Sequence, residues 1–260
     1  MRRRDVLALA AAWTAAGCAA DSRGRPPGPR ATPPTPRDTP PASSRTAEST
    51  PESAKQTVGS VAEEVAHGPR DRPLIALTFH GAGSPRLADR MLRAFDRHRA
   101  HATILAVGTW LDQYPAVARR ILDAGHDLGN HTQRHLAIAT MHAAAARAEI
   151  DDCAARLRAL TGSPGSWFRP SATPHATALI RRLAARAGYP TCLSYDVDSL
   201  DYTDPGPAAI ITTVLRAVRP GSIVSLHLGH PGTADALPDL LTALRAKGLR
   251  PVNATQLLTR

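Results

Sequence analysis

The stretch Leu74–Gly83 reads LIALTFHGAG. Six apolar or β-branched residues, too few for a helix, run into a histidine and two glycines. That is the pattern of a buried strand ending in a polar side chain and a turn. Similar runs recur downstream as ATILAV (102–107), HDLGNH (126–131), SWFRP (166–170), TCLSYDV (191–197), SIVSLHL (222–228) and RPVNA (250–254). Between them lie six Ala/Leu/Arg-rich segments, 85–99, 114–125, 142–162, 176–188, 207–218 and 234–248, several of which stop at glycine as helices do. Strands alternating with helices predict an α/β fold, with about seven parallel strands around a buried sheet or barrel.

The chain has 260 residues, 43% hydrophobic and 21% charged, enough for one sizeable core. Its 23 prolines crowd toward the start, so two regions need separate readings. Residues 1–18, MRRRDVLALAAAWTAAGC, combine arginines, a short apolar run and small residues, the layout of an export signal too short to span a bilayer. RRRDVL resembles a twin-arginine signal and AAGC a lipobox, which makes Cys18 the expected site of lipid attachment. Residues 19–72 are rich in Pro, Ser, Thr, Arg and Glu and poor in large apolar residues, so a disordered tether is expected there, with the folded domain over 73–260. The implied location is the bacterial cell envelope: secreted, or held to the outer face of the cytoplasmic membrane by lipid alone.

The net charge is +10, and 21 Lys and Arg against 14 Asp and Glu lie from Pro73 onward. The excess is nearly all arginine spread over several helices. No basic cluster is interleaved with aromatics, so nucleic acid is not an expected partner. Cys153 and Cys192 leave open a disulfide or two buried thiols.

Polar residues collect at one edge. His80, His131, His135, Arg169, Asp198, Asp201 and His227 fall at or beyond the C-terminal ends of different strands, where the loops of a parallel α/β fold converge on an active site. In GNHTQRH (129–135) the two histidines are four apart, so one helical turn would put both imidazoles on one side, as divalent-metal sites require.

Taken in order, LTF, GNHT with the second histidine, FRP, DVDSLDY and IVSLH resemble the polysaccharide deacetylases of the NodB homology group, carbohydrate esterase family four, over about Pro73 to Leu258. The resemblance implies a deformed (β/α) barrel and a divalent metal, usually zinc, that removes N-acetyl groups from amino sugars. His131 and His135 match the metal histidines, His227 the catalytic acid, and Arg169 the arginine that holds the catalytic base. Asp198 matches the residue tuning the late histidine, while Asp201 and Tyr202 stand where the substrate-side Asp-Trp ending is expected. Where the family has TFDDG this chain has TFHGA, so His80 replaces the base and Gly81 the metal aspartate.

Two histidines hold zinc poorly, since catalytic zinc generally takes three protein ligands. His80, at the same mouth and longer than aspartate, is the candidate third. Two functions follow. One is an exported, metal-dependent deacetylase acting on peptidoglycan or another N-acetylated envelope polysaccharide. The other is a catalytically inactive carbohydrate-binding domain on the same fold, in which His80 only fills a vacant cleft.

Overall fold

The computed structural model describes residues 60–259. Strand β2 (Leu74–Gly81) lies at its centre, buried at every position except a partly exposed His80. Burial on both faces is what a parallel strand between helices requires, and it explains the unbroken apolar run. β2 pairs in parallel with β3 (Thr103–Ala106) near its end, with β8 (Arg250–Val252) near its start, and with β7 (Ile223–His227) between. β4 (Asp127–Asn130) continues beyond β3 and β6 (Val197–Asp198) beyond β7, giving the order β4-β3-β2-β7-β6. β5 (Thr191–Leu193) pairs with β1 (Glu63–Val65). Isolated bridges at Asn130–Phe168, Phe168–Cys192 and His67–Ser222 link these two to the rest. The fold is therefore α/β with parallel strands, its ring interrupted where strands are shortest.

All six expected helices form: α1 (Pro85–Arg97), α3 (Pro115–Asp123), α4 (Ala143–Thr161), α5 (Ala178–Arg186), α6 (Pro207–Ala217) and α7 (Pro231–Ala246). Ser84 caps α1 through its hydroxyl, with Pro85 in the first turn, where a missing amide hydrogen costs nothing. Two short helices, α2 (Gly108–Gln113) and α8 (Ala254–Leu258), have no sequence periodicity to announce them. The main core joins β2, β3 and β7 to α1 and α7; Phe79 of β2 meets Phe95 of α1 edge-on with centroids 5.8 Å apart. Among the described residues no helix is long and apolar enough to cross a membrane.

Two expectations are corrected, and one open alternative is decided. Residues 60–72 belong to the domain and not to a tether: Ala62 is buried, β1 pairs with β5, Gly68 donates to the Gly221 carbonyl, and Arg70 pairs with Asp196 at 2.7 Å. A three-residue strand among polar neighbours carries too little pattern to be read from sequence. SWFRP contributes only the bridges of Phe168, and TCLSYDV divides into β5 and β6. Cys153 and Cys192 are both buried free thiols, their pKa values pushed up to about 12, chiefly by burial. Residues 1–18, Cys18 and the tether as far as residue 59 lie outside the described residues.

Candidate active site

Because side chains alternate along a strand, His80, next to last in β2, points into the mouth, while Gly81 faces the other way. A Cβ built on Gly81 would stand 2.9 Å from the Ala106 Cα and 2.9 Å from the Ile104 Cγ2. Position 81 is therefore glycine because β2 lies close against β3 there. A side chain at this position would meet that strand before it met a ligand in the mouth.

His131 follows β4 and is fully buried. Its Nδ1 lies 2.9 Å from the Arg169 carbonyl oxygen, which can only accept, so Nδ1 carries the proton and Nε2 keeps its lone pair. The His80 Nδ1 lies 2.7 Å from that Nε2, and the His80 Nε2 is 3.0 Å from the Ser225 hydroxyl on β7. One ring nitrogen each from His80, His131 and His135 lies within 4.8 Å of the other two.

The His131–His135 segment is not the helical turn expected from its spacing. Thr132 (φ 67°) and His135 (φ 58°) are both left-handed, which no helix permits. Hydrogen bonds hold this bent loop: the Asn130 side chain accepts from the Thr132 amide, the Thr132 hydroxyl accepts from the His135 amide, and Glu149 accepts from the amide and Nε of Arg134. Glu149 is 1% exposed and is the group on α4 that ties the loop down.

His227 ends β7, and its ring stacks on His80 with centroids 4.2 Å apart. By resemblance Asp198 is expected to tune His227, and Asp201 to meet substrate. The structure corrects both. Asp201 is fully buried; its Oδ1 lies 2.7 Å from the His227 Nδ1, and its Oδ2 accepts from the His227 amide and the Thr233 hydroxyl. Burial alone would raise the Asp201 pKa, but the His227 and Thr233 hydrogen bonds outweigh it and hold the carboxyl below its ordinary value. Asp198 is partly exposed, accepts from the Leu200 amide, and lines a cleft of about 350 Å³ with His80, His135, Tyr195, Tyr202 and His227.

Arg169 is fully buried, and among the described residues no carboxylate pairs with it; Asp196 is taken by Arg70. Its guanidinium donates to the carbonyls of Leu193 and Ser194 and to the Thr78 hydroxyl, and lies 5.3 Å from the Tyr195 ring centroid. Burial lowers its pKa to about 10. With His80 where the family places its base, Arg169 braces β2 from below, two residues before His80, and orients His131 through its carbonyl.

Burial, more than neighbouring charge, lowers the pKa values of His80, His131 and His135. A divalent cation takes neutral imidazoles: His131 offers its Nε2 lone pair, His80 would give up the Nδ1 proton it donates to that atom, and with His135 the three residues fit such an ion. Ser225, Thr233 and Glu149 were not legible as site residues, because an isolated hydroxyl or carboxylate has no spacing signature. His230 stands at the mouth: its Nδ1 is 2.8 Å from Asp204 and its ring centroid 5.6 Å from that of His227. His126 accepts from the Ala102 amide inside the fold and has no part in the mouth.

Comparison with known proteins agrees with this geometry. The polysaccharide deacetylase family profile matches residues 67–192. The chain is 32% identical over 171 residues to a chitooligosaccharide deacetylase of Rhizobium leguminosarum bv. phaseoli, covering 64% of this chain and 74% of that one. It is 29% identical over 194 residues to a peptidoglycan-N-acetylglucosamine deacetylase of Bacillus cereus, covering 73% and 90%. An uncharacterized Bacillus subtilis protein, YlxY, is 26% identical across 75% of this chain and 60% of its own length. Among solved structures, a CE4 family pseudoenzyme from Bacillus anthracis superposes with a TM-score of 0.71 at 26% identity, covering 75% of this chain and 69% of that one. A mutant of that protein is described as having restored enzymatic activity. The chain belongs to the polysaccharide deacetylase family.

Proposed function

We propose that this protein is a metal-dependent N-deacetylase of acetylated amino sugars, with His80, His131 and His135 as a three-histidine set for a divalent cation, zinc by the chemistry of the donors. The observation that carries the reading is the convergence of three imidazoles within 4.8 Å beneath the ring of His227. Deacetylase relatives support an N-acetylated glycan as substrate, of the peptidoglycan or chitooligosaccharide kind. The arginine-led, apolar start of the chain supports export and lipid attachment at Cys18.

When bound, the cation supplies Lewis acidity toward the acetyl carbonyl and activates water. The chain's own groups do the rest. Asp201 fixes the His227 ring through Nδ1, leaving Nε2 free at the cleft to protonate the departing sugar amine. Asp198, not committed to His227, is the carboxylate left to accept a proton at the cleft. Tyr202 and Leu200, 48% and 44% exposed beside the mouth, offer surface for a sugar face.

A second reading, a binding domain without turnover, is favoured by the loss of both first-motif aspartates and by the pseudoenzyme relative. The zinc-supplemented full chain, incubated with N-acetylglucosamine oligomers, is expected to release acetate, and His227→Ala to lose that release by about 10²–10⁴-fold. Saturable oligomer binding with no acetate release from the zinc-loaded wild type would establish the binding domain instead.

A further inference from the structure

Six described residues other than glycine have left-handed backbone, and five of them, Thr132, His135, Ala172, Leu200 and Asp204, lie on the loops around the histidine mouth. Such residues gather at functional sites, where the surrounding structure holds them. The sixth, Arg99 (φ 47°), lies at the other end of the fold, where the strands begin.

Helices α1, α3, α5 and α7 end in the same turn. The amide of the left-handed residue bonds the carbonyl three residues back, and the next amide bonds the carbonyl five residues back. In α3, α5 and α7 the left-handed residue is Gly125, Gly188 and Gly248. In α1 it is Arg99, whose Cβ makes the conformation unfavourable. The arginine side chain is kept at a position where glycine fits better.

That side chain lines a groove of about 220 Å³ with Arg245, Arg250 and His98, over a floor that includes Leu241 and Leu249. No carboxylate lines the groove, and exposed Lys247 stands beside it. Among the described residues the ion pairs involve neither Arg99 nor Arg250. Arg245 sits in the last turn of α7, where a cation offsets the helix dipole, and donates to the His98 carbonyl. Arg99 stands at the first position past the cap of α1 and so also meets a negative helix end, whereas Arg250 opens β8, beyond the last turn of α7.

We propose that this groove is a binding site for an organic phosphate ester. Guanidinium groups pair their forked donors with phosphate oxygens, and a tetrahedral phosphate can serve several arginines from different directions, as a flat carboxylate cannot. The volume exceeds that of a lone phosphate, and the apolar floor gives a glycerol-sized substituent a surface to lie on. Such an ester is carried by soluble or polymeric glycerol phosphates and by lipid headgroups.

The test titrates the full chain with glycerol phosphate at low and physiological salt. Saturable one-to-one binding is expected, weaker at higher salt and at least tenfold weaker in Arg99→Gly and Arg250→Ser. Arg99→Gly is expected to melt at or above the wild-type temperature, because it relieves the backbone, so its lost binding is not lost folding. In parallel, sedimentation with phosphatidylglycerol but not phosphatidylcholine vesicles, abolished in Arg99→Gly, would assign the ester to a lipid headgroup. Binding of glycerol phosphate without vesicle sedimentation would assign it to a soluble or polymer-borne source. Absence of saturable binding in both arms, equal affinity in Arg99→Gly and wild type, or equal affinity for sulfate and the ester overturns the proposal.

Discussion

Asp201→Ala is expected to lower acetate release by about two to four orders of magnitude and to destabilise the fold by about 3 kcal/mol. Asp201 is fully buried and receives three hydrogen bonds: from the ring of His227, from its amide, and from the Thr233 hydroxyl. Removing the carboxylate leaves buried donors without partners and frees the imidazole to turn away from the cleft. At about 2–4 °C per kcal/mol for a domain of this size, the thermal midpoint should fall by roughly 6–12 °C. Asp198→Ala is the control: partly exposed, with one amide donor, it should lower turnover with little change in melting. If Asp198→Ala disturbed His227 more than Asp201→Ala did, the dyad would be wrongly placed.

Gly81→Asp, which restores the second aspartate of the family motif, is expected to cost the fold about 3 kcal/mol or more and to confer no tighter metal binding. Its Cβ would lie 2.9 Å from the Ala106 Cα and 3.0 Å from the Leu105 carbonyl oxygen, and backbone cannot yield as a flexible side chain does. A carboxylate forced between β2 and β3 would also be desolvated without a partner. Gly81→Ala should show a smaller loss of the same origin, measured by thermal melting. A folded Gly81→Asp with wild-type melting and tighter zinc binding would mean that β2 has room to turn this position toward the mouth.

The legible parts of this chain are those with a period or an order. Runs such as LIALTF and ATILAV become β2 and β3 because buried parallel strands need apolar residues on both faces. The ends of β2, β4 and β7 carried His80, His131 and His227 to one mouth, and spacing alone brought His135 to the set. What spacing could not show was the conformation joining them. The i, i+4 pair suggests helix, whereas Thr132 and His135 adopt left-handed backbone held by local bonds of the Asn130 and Thr132 side chains and by Glu149 from α4. The exchange of roles between Asp198 and Asp201 has the same origin. Both carboxylates belong to DVDSLDY, a left-handed bend at Leu200 lies between them, and Asp201 is the one held under His227 by that residue and Thr233. Residues 60–72 escaped because β1 is three residues long and exists only through its pairing with β5.

We propose that His80 serves as a metal ligand in place of the missing aspartate. Equilibrium zinc titration of the full chain, with bound metal counted in wild type, His80→Ala, His131→Ala and His227→Ala, tests it most directly. One zinc per wild-type chain is expected, with comparable and severe loss in His80→Ala and His131→Ala because each leaves two ligands where three are needed, and retention in His227→Ala. Equal zinc occupancy in wild type and His80→Ala would contradict it.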